Sequence, residues 1–464
     1  MGLRRRLAGL VIGVVAFGLL GILAQSGLAQ SRPSSVAEAS TAVLFENVRV
    51  FDGVSPQVSG PTNVLVVGNT INAVGVESPS VSSAANVTRI NGQGRVLMPG
   101  LIDAHTHLFM ETSSEADLVA ATANPESLFR RAQENATAML MRGFTSARDM
   151  AGPVFELKRA IDSGRVVGPR IWPSGAMISQ TGGHGDFREL AELPRTPTSE
   201  LSLAEQFGVS AIADGVPEVL RSTREQLMRG ASQIKVAAGG GVASAYDPID
   251  ATQYTEAELK AAVDAAENWN TYVAVHAYTP RAVQMAIRAG VKSIEHGQLI
   301  DEETARMIAE KGVWLSMQPF LDDEDANPYP EGSPNRESQL LVSRGTDNAY
   351  NLAKSYNLKT AWGTDNLYSS RGATRQGAKL AKMVRWYTPA EVLKMATSTN
   401  AELLALSGPR NPYPGKLGVV ETGALADLLL VNGDPLANIR LIEDPERNFL
   451  VIMKNGVIYK NLLN

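Results

Sequence analysis

The chain has 464 residues, 44% of them hydrophobic, enough apolar material for a large core and more than one folding unit. Its Cys count is 0, which excludes a disulfide framework, a thiolate metal site and a cysteine nucleophile. A formal charge of -5, with no basic run beyond the first residues, argues against a nucleic-acid partner.

The N-terminus has the layout of a targeting segment. Arg4, Arg5 and Arg6 precede an apolar run from Leu7 to Leu23, and Gly27-Leu28-Ala29 offers small residues where a signal peptidase reads. That run is shorter than the ~20 residues of a spanning helix. Residues 1–29 are therefore expected to be a signal peptide, making the protein periplasmic or secreted. An uncleaved leader would anchor it to the membrane instead. The three arginines leave general and twin-arginine export both open. Residues 30–40 read as a polar linker.

From Ala42 the texture is short strands and turns, with Gly68-Asn69 as a hairpin-type turn before Thr70 to Val74. The same texture returns late in the chain: Ala426 to Val431 is apolar, and Leu450 to Lys454 and Val457 to Lys460 flank the hairpin signal Asn455-Gly456. Between these ends, eight apolar segments alternate with amphipathic ones. They are Leu101 to His105, Thr145 to Arg148, Arg170 to Pro173, Gln233 to Ala237, Tyr272 to His276, Ser293 to His296, Val313 to Met317 and Thr360 to Gly363. Helix starts show in the capping box Thr255-x-x-Glu258 and in Thr388-Pro389-Ala390-Glu391. The expected fold is α/β: a (β/α)8 TIM-like barrel over 98–406, with a small β-sandwich domain built from both chain ends, 41–97 and 407–464. An open dinucleotide-binding sheet would want a glycine-rich turn after its first strand, where this sequence has His105-Thr106-His107.

The chain has His 5 in all: His105, His107, His184, His276 and His296. Three fall at predicted strand ends, His107 lies two residues beyond one, and His184 sits in Thr181-Gly182-Gly183-His184-Gly185-Asp186. The C-terminal strand ends of such a barrel form the floor of its site, and imidazole is the commonest metal ligand. Lys235 interrupts the apolar run Ile-Lys-Val-Ala-Ala, so it faces away from its neighbours, either inward beside the histidines or outward under a helix. Buried, it needs neutralising, by carboxylation to a metal-bridging carbamate or by a salt bridge. Asp365 ends the eighth strand and suits a metal ligand and proton acceptor, or a helix N-cap.

Together these residues resemble the amidohydrolase superfamily. Pro99-Gly100-Leu101-Ile102-Asp103-Ala104-His105-Thr106-His107 is similar to its opening motif, and Lys235, His276, His296 and Asp365 follow in the family's order, with Gly423 to Leu428 near the end. The resemblance implies two divalent metal ions, usually Zn2+. His105 and His107 would bind one, His276 and His296 the other, with N6-carboxylated Lys235 and a hydroxide bridging and Asp365 completing the first site. The glycine-rich His184 loop and His276-Ala277-Tyr278 resemble the branch of bacterial Xaa-Pro dipeptidases, metallo-carboxypeptidases and ochratoxin-degrading, imidazolonepropionase-like amidohydrolases. In that branch His184 and Tyr278 would hold the substrate's carbonyl or carboxylate, and relatives form homo-oligomers.

The expected reaction is hydrolysis of the amide of a dipeptide or N-acyl amino acid, with Asp365 as the proton-transferring group and His184 assisting. Alternatives are a lactonase, esterase or cyclic-amide hydrolase on the same centre, and a non-catalytic metal-binding scaffold. The acidic segment from Leu321 to Pro334 reads as a solvated loop or as a lid, which would then favour a basic substrate.

Overall fold

The computed structural model describes residues 41–463 apart from 78, 80–85, 114–123, 197 and 245. The expected signal peptide and linker lie outside the described residues. Among the described residues no helix is long and apolar enough to cross a membrane.

The first strands are β1 Ala42–Val50, β2 Thr62–Val67, β3 Thr70–Gly75, β4 Val87–Asn91 and β5 Val96–Pro99. Ten more follow: β6 Leu101–Thr106, β7 Phe144–Asp149, β8 Arg170–Pro173, β9 Met177–Ser179, β10 Ser210–Ile212, β11 Ile234–Ala237, β12 Val273–Ala277, β13 Ser293–His296, β14 Trp314–Met317 and β15 Lys359–Trp362. The last three are β16 Leu428–Val431, β17 Phe449–Lys454 and β18 Val457–Asn461.

Strands from both ends of the chain share one mixed sheet, in the order β18-β17-β16-β5-β1-β2-β3, with β4 also on β1. The turns Gly68-Asn69 and Asn455-Gly456 join antiparallel neighbours, Val67 facing Thr70 and Lys454 facing Val457. β1 changes partner along its length. Ala42 to Glu46 run parallel to β4 and Arg49 and Val50 parallel to β5, while the antiparallel register with β2 breaks between Phe45 and Val48. Residues from both chain ends, among them Phe45, Val64, Leu430 and Val451, share one apolar cluster. β5, which includes Met98, pairs with β16 and so belongs to this sheet.

The remaining strands are parallel, in the runs β6-β7-β8 and β10-β9-β11-β12-β13-β14-β15. Each of the eight expected barrel strands coincides with an observed one, and Arg170–Pro173 and Ser293–His296 agree to the residue. Backbone hydrogen bonds join the runs. Ser232 N–H donates to Pro173 O at 2.8 Å, and Asp365 N–H donates to His105 O at 2.9 Å. Helices such as Pro125–Met141, Glu256–Glu267, Pro280–Ala289 and Pro334–Ser355 return the chain between strands. They begin where the sequence satisfies their free N–H groups: Thr255 and Glu258 form a reciprocal capping box, and Ser333 accepts from Arg336 N ahead of Pro334. This parallel α/β architecture, with helices between successive strands, fits a TIM-barrel type of fold.

Candidate active site

All eight residues singled out by sequence line one cavity: His105, His107, His184, Lys235, His276, Tyr278, His296 and Asp365. Six stand on or just after the C-terminal ends of four parallel strands: β6 (His105, His107), β12 (His276, Tyr278), β13 (His296) and β15 (Asp365). Lys235 is the second residue of β11, and His184 lies beyond β9. Lys235 points inward. Ile234 and Val236 join the main apolar cluster while Lys235, 2% exposed, faces the cavity. Asp365 caps no helix, because the next one begins at Ser370 with Ser369 as its N-cap.

Asp365 is the hub. Its Oδ1 lies 3.1 Å from His107 Nε2 and 3.5 Å from His105 Nε2, and its Oδ2 lies 3.9 Å from His296 Nδ1. Ligand atoms of His105, His296 and Asp365 lie within 4.8 Å of one another. Burial opposes the charge on Asp365, yet the surrounding imidazoles hold its carboxyl far below the usual range. His296 and Asp365 both sit in the left-handed backbone region, at φ 80 and 46, a strain tolerated where surroundings over-determine it.

The tautomer of His105 follows from its partner. Nδ1 lies 2.9 Å from Glu295 Oε2, and a carboxylate only accepts, so Nδ1 carries the proton and Nε2 keeps its lone pair. Burial and Lys235 pull the imidazole down to about 4, against the opposing pull of Asp365 and Glu295. Nε2 is buried and has no hydrogen-bond partner among the described residues. A bare imidazole nitrogen aimed at a carboxylate fits a cation between them. His296 is held similarly, its Nδ1 2.8 Å from Gln318 Oε1. His276 directs Nε2 to Gly240 O at 3.2 Å, which leaves Nδ1 as its free nitrogen, and its ring stacks on His184 at 3.8 Å. Burial, above all, pushes His276 and His296 well below the ordinary imidazole range, so both are neutral. Burial also lowers Lys235 to about 8, although Glu295 and Asp365 favour its charge.

Tyr278 packs edge-on to His276 and stacks on His296 at 5.0 Å. Burial and nearby acids push its phenol well above the usual value, so it is a neutral hydrogen-bond donor. Beside His184, Gly241 has no room for a side chain, since a Cβ there would lie 2.1 Å from the ring.

Sequence reasoning missed the groups behind the histidines. Glu295 receives Arg148 Nη2 at 2.7 Å and Ser293 Oγ at 2.6 Å, and Arg148 Nε donates to Ala104 O at 2.6 Å. One signal was available, since an acid and a base each within a predicted barrel strand, Glu295 next to His296 and Arg148 at a strand end, can form a buried pair. The acidic segment also departs from the solvated-loop expectation. Leu321, Asp323, Asp325 and Tyr329 line the cavity. Its three aspartates are already paired: Asp322 with Arg336 at 2.9 Å, Asp323 with Lys382 at 2.6 Å, and Asp325 with Arg375 at 2.6 Å and Lys382 at 2.8 Å. This pairing removes the reason to expect a basic substrate.

Residues 96–459 match the model of the amidohydrolase family. The chain belongs to that family. It is 32% identical over 451 residues to an ochratoxinase of Aspergillus niger, covering 93% of this chain and 90% of that one. Among solved structures it resembles a prolidase complexed with N-methylphosphonate-L-proline, with TM-score 0.81 and 33% identity over 91% of this chain and 100% of that one. It also resembles a Xaa-Pro dipeptidase with methionine bound in its active site, with TM-score 0.77 and 28% identity over 91% and 100% of the two chains. Members of this amidohydrolase family generally bind divalent metals, and these relatives support a hydrolase acting on amides of small molecules.

Proposed function

We propose that this amidohydrolase cleaves the amide bond of dipeptides or N-acyl amino acids with a free carboxylate, ochratoxin-type amides included. The observation that carries the reading is the buried His105 Nε2, bare and facing Asp365 in a cavity that gathers every other candidate. In this reading β6 to β8 and β11 to β15 form one closed (β/α)8 barrel within 101–406, and strands from 41–99 and 407–464 form a β-sandwich beside it. The leader makes the protein an exported one, and self-association follows the habit of the branch.

Two divalent ions, zinc by preference, would be held by His105, His107 and Asp365 on one side and by His276 and His296 on the other. Lys235 stands between these groups. A lysine brought down to about 8 exposes some neutral amine near neutral pH, the form that takes up carbon dioxide to become the carbamate. When bound, the metals supply Lewis acidity and lower the pKa of the attacking water. Asp365, ionised and central, accepts the proton that water releases at its carboxylate and returns it to the departing amine nitrogen. The amide C–N bond breaks as the new C–O bond forms, giving a carboxylate and an amine. Tyr278 donates its phenolic hydrogen to the substrate's carbonyl or carboxylate, with His184 beside it. The 321–329 loop keeps bulk water from the cleft.

Metal content of the purified protein tests the reading. About two ions per chain in the wild type and a clear loss in Lys235→Ala are expected. Asp365→Asn should lower turnover of a screened dipeptide by roughly 100- to 10,000-fold. One ion in both wild type and Lys235→Ala would return Lys235 to a structural role, and near-normal turnover in Asp365→Asn would remove the assignment of the proton acceptor.

A further inference from the structure

Beyond Asp365 the cavity continues to Lys379, which lines it but has no place in the chemistry above. Its ammonium has one hydrogen bond among the described residues, donated to Asn366 Oδ1 at 3.0 Å. The carboxylates in its neighbourhood are committed elsewhere. Asp323 and Asp325 are paired with Lys382 and Arg375, and Glu111 is paired with Arg142 at 3.2 Å. Asp103 accepts from Thr364 at 2.6 Å and Gln376 at 2.8 Å. No carboxylate among the described residues approaches Lys379 to ion-pair distance, so two of its three N–H groups are uncommitted.

The contact that holds Lys379 is itself built. Asn366 is buried, and its Nδ2 donates to Glu111 O at 3.1 Å and Ser369 O at 3.0 Å, which leaves Oδ1 as the face turned to the ammonium. Gly372 makes room for that amide: a Cβ there would lie 2.0 Å from Asn366 Oδ1. An amide oxygen orients the ammonium without neutralising it. A half-buried cation with spare donors, facing a cavity lined elsewhere by apolar groups such as Phe187, Phe320 and Leu367, recognises an anion.

We infer that Lys379 is a specificity residue for a second negative charge on the substrate, carried by its acyl half. The inference rests on the amide-hydrolase reading. His184 follows β9 and Tyr278 follows β12, whereas Lys379 stands on the helix Gln376–Ala381 after β15. With Tyr278 taking the substrate's free carboxylate, the acyl group is the half left for Lys379, which lines the same cavity. The chemical class is an amide of a dicarboxylic or otherwise anionic acyl group with an amino acid. Asp323 and Asp325, the loop carboxylates that line the cavity, are each paired with Lys382 or Arg375, which offsets their repulsion of such a group.

The test uses two compounds of matched length, N-glutaryl-L-phenylalanine and N-hexanoyl-L-phenylalanine, with the metal-loaded full chain. The wild type should favour the glutaryl compound in kcat/KM. Lys379→Met should lower the glutaryl-to-hexanoyl ratio by ~10- to 100-fold, the worth of one charge-assisted hydrogen bond, and Lys379→Arg should restore part of it. The ratio is the readout, so a general loss of activity in a variant does not mimic the effect. Calorimetric binding of both compounds to wild type and Lys379→Met, in inactive Asp365→Asn protein, reads the same preference without turnover. An equal ratio and equal binding preference in wild type and Lys379→Met would overturn the role of Lys379. Failure of the wild type to cleave either compound, with the binding preference intact, would count against the amide-hydrolase reading and leave the anion subsite standing.

Discussion

His105 presents a bare nitrogen to Asp365 because Glu295 holds its other nitrogen, and Glu295 stays ionised because Arg148 is buried against it. Burial alone would raise that carboxyl, but Arg148 and His105 hold it well below its usual range. Glu295→Gln keeps the shape and removes the charge. It should weaken metal binding by ~10- to 100-fold, as loss of a group orienting a ligand does. Chelator competition measures this, and an unchanged affinity would mean that Glu295 serves Arg148 alone. The ligand candidates were legible in the sequence because imidazoles are scarce and fall at strand ends. The direction of Lys235 was not, since alternation fixes which neighbours it opposes and not which side is the cavity. Nor does a non-glycine residue announce left-handed backbone, as at His296 and Asp365, or an amide contact such as Asn366 with Lys379, which depends on the turn between them.

At the scale of elements, the loop after β14 meets the segment after β15 through charges. Lys382 reaches Asp323 and Asp325, Arg375 reaches Asp325, and Arg371 Nη2 donates to Glu324 O at 2.8 Å. Partly exposed ion pairs contribute little singly, but several on one short loop hold it over the cavity. Replacing Lys382 by Met should raise KM roughly fivefold with a smaller change in kcat, and should speed proteolysis near residue 324 in limited digestion. Unchanged KM and cleavage would show that packing alone seats the loop. The strands were legible where apolar runs end at turn residues, as in Arg170–Pro173. The parallel pair β9 and β10 escaped notice because each has three residues and lies amid glycine- and proline-containing loops. β4 reads Val-Thr-Arg-Ile-Asn and buries only Ile90, too little for an apolar signal. β5 is separated from β6 only by Gly100, so the two look like one strand. A Cβ at Gly100 would lie 2.1 Å from Thr145 Oγ1, which is why glycine stands at this junction.

The two-ended sheet is joined to the parallel strands by a buried ion pair. Arg170 on β8 donates to Asp427 through Nε at 2.8 Å and Nη2 at 3.2 Å, and Asn455 N–H donates to the same carboxylate at 2.6 Å. Asp427 O also receives Gly100 N–H at 2.8 Å, at the junction between β5 and β6. Sequence alone showed that both chain ends share a β texture and that Asp427 belongs to a family-like motif. It could not show the clamp, whose partner lies 257 positions away. Asp427→Ala leaves the Arg170 guanidinium buried without its counter-charge and the Asn455 N–H without its acceptor. Breaking such a pair costs about 3–5 kcal/mol, enough to lower Tm by roughly 3–6 °C in a chain of this size. Asp427→Asn, which keeps an oxygen for Asn455, should lose less. Both melts should be run on the metal-loaded protein, so that metal loss is not mistaken for loss of the clamp. A Tm unchanged in Asp427→Ala would mean that the pairing of β5 with β16 alone carries the join. A fall accompanied by normal metal content would place the clamp's contribution in the seating of the sheet, away from the active site.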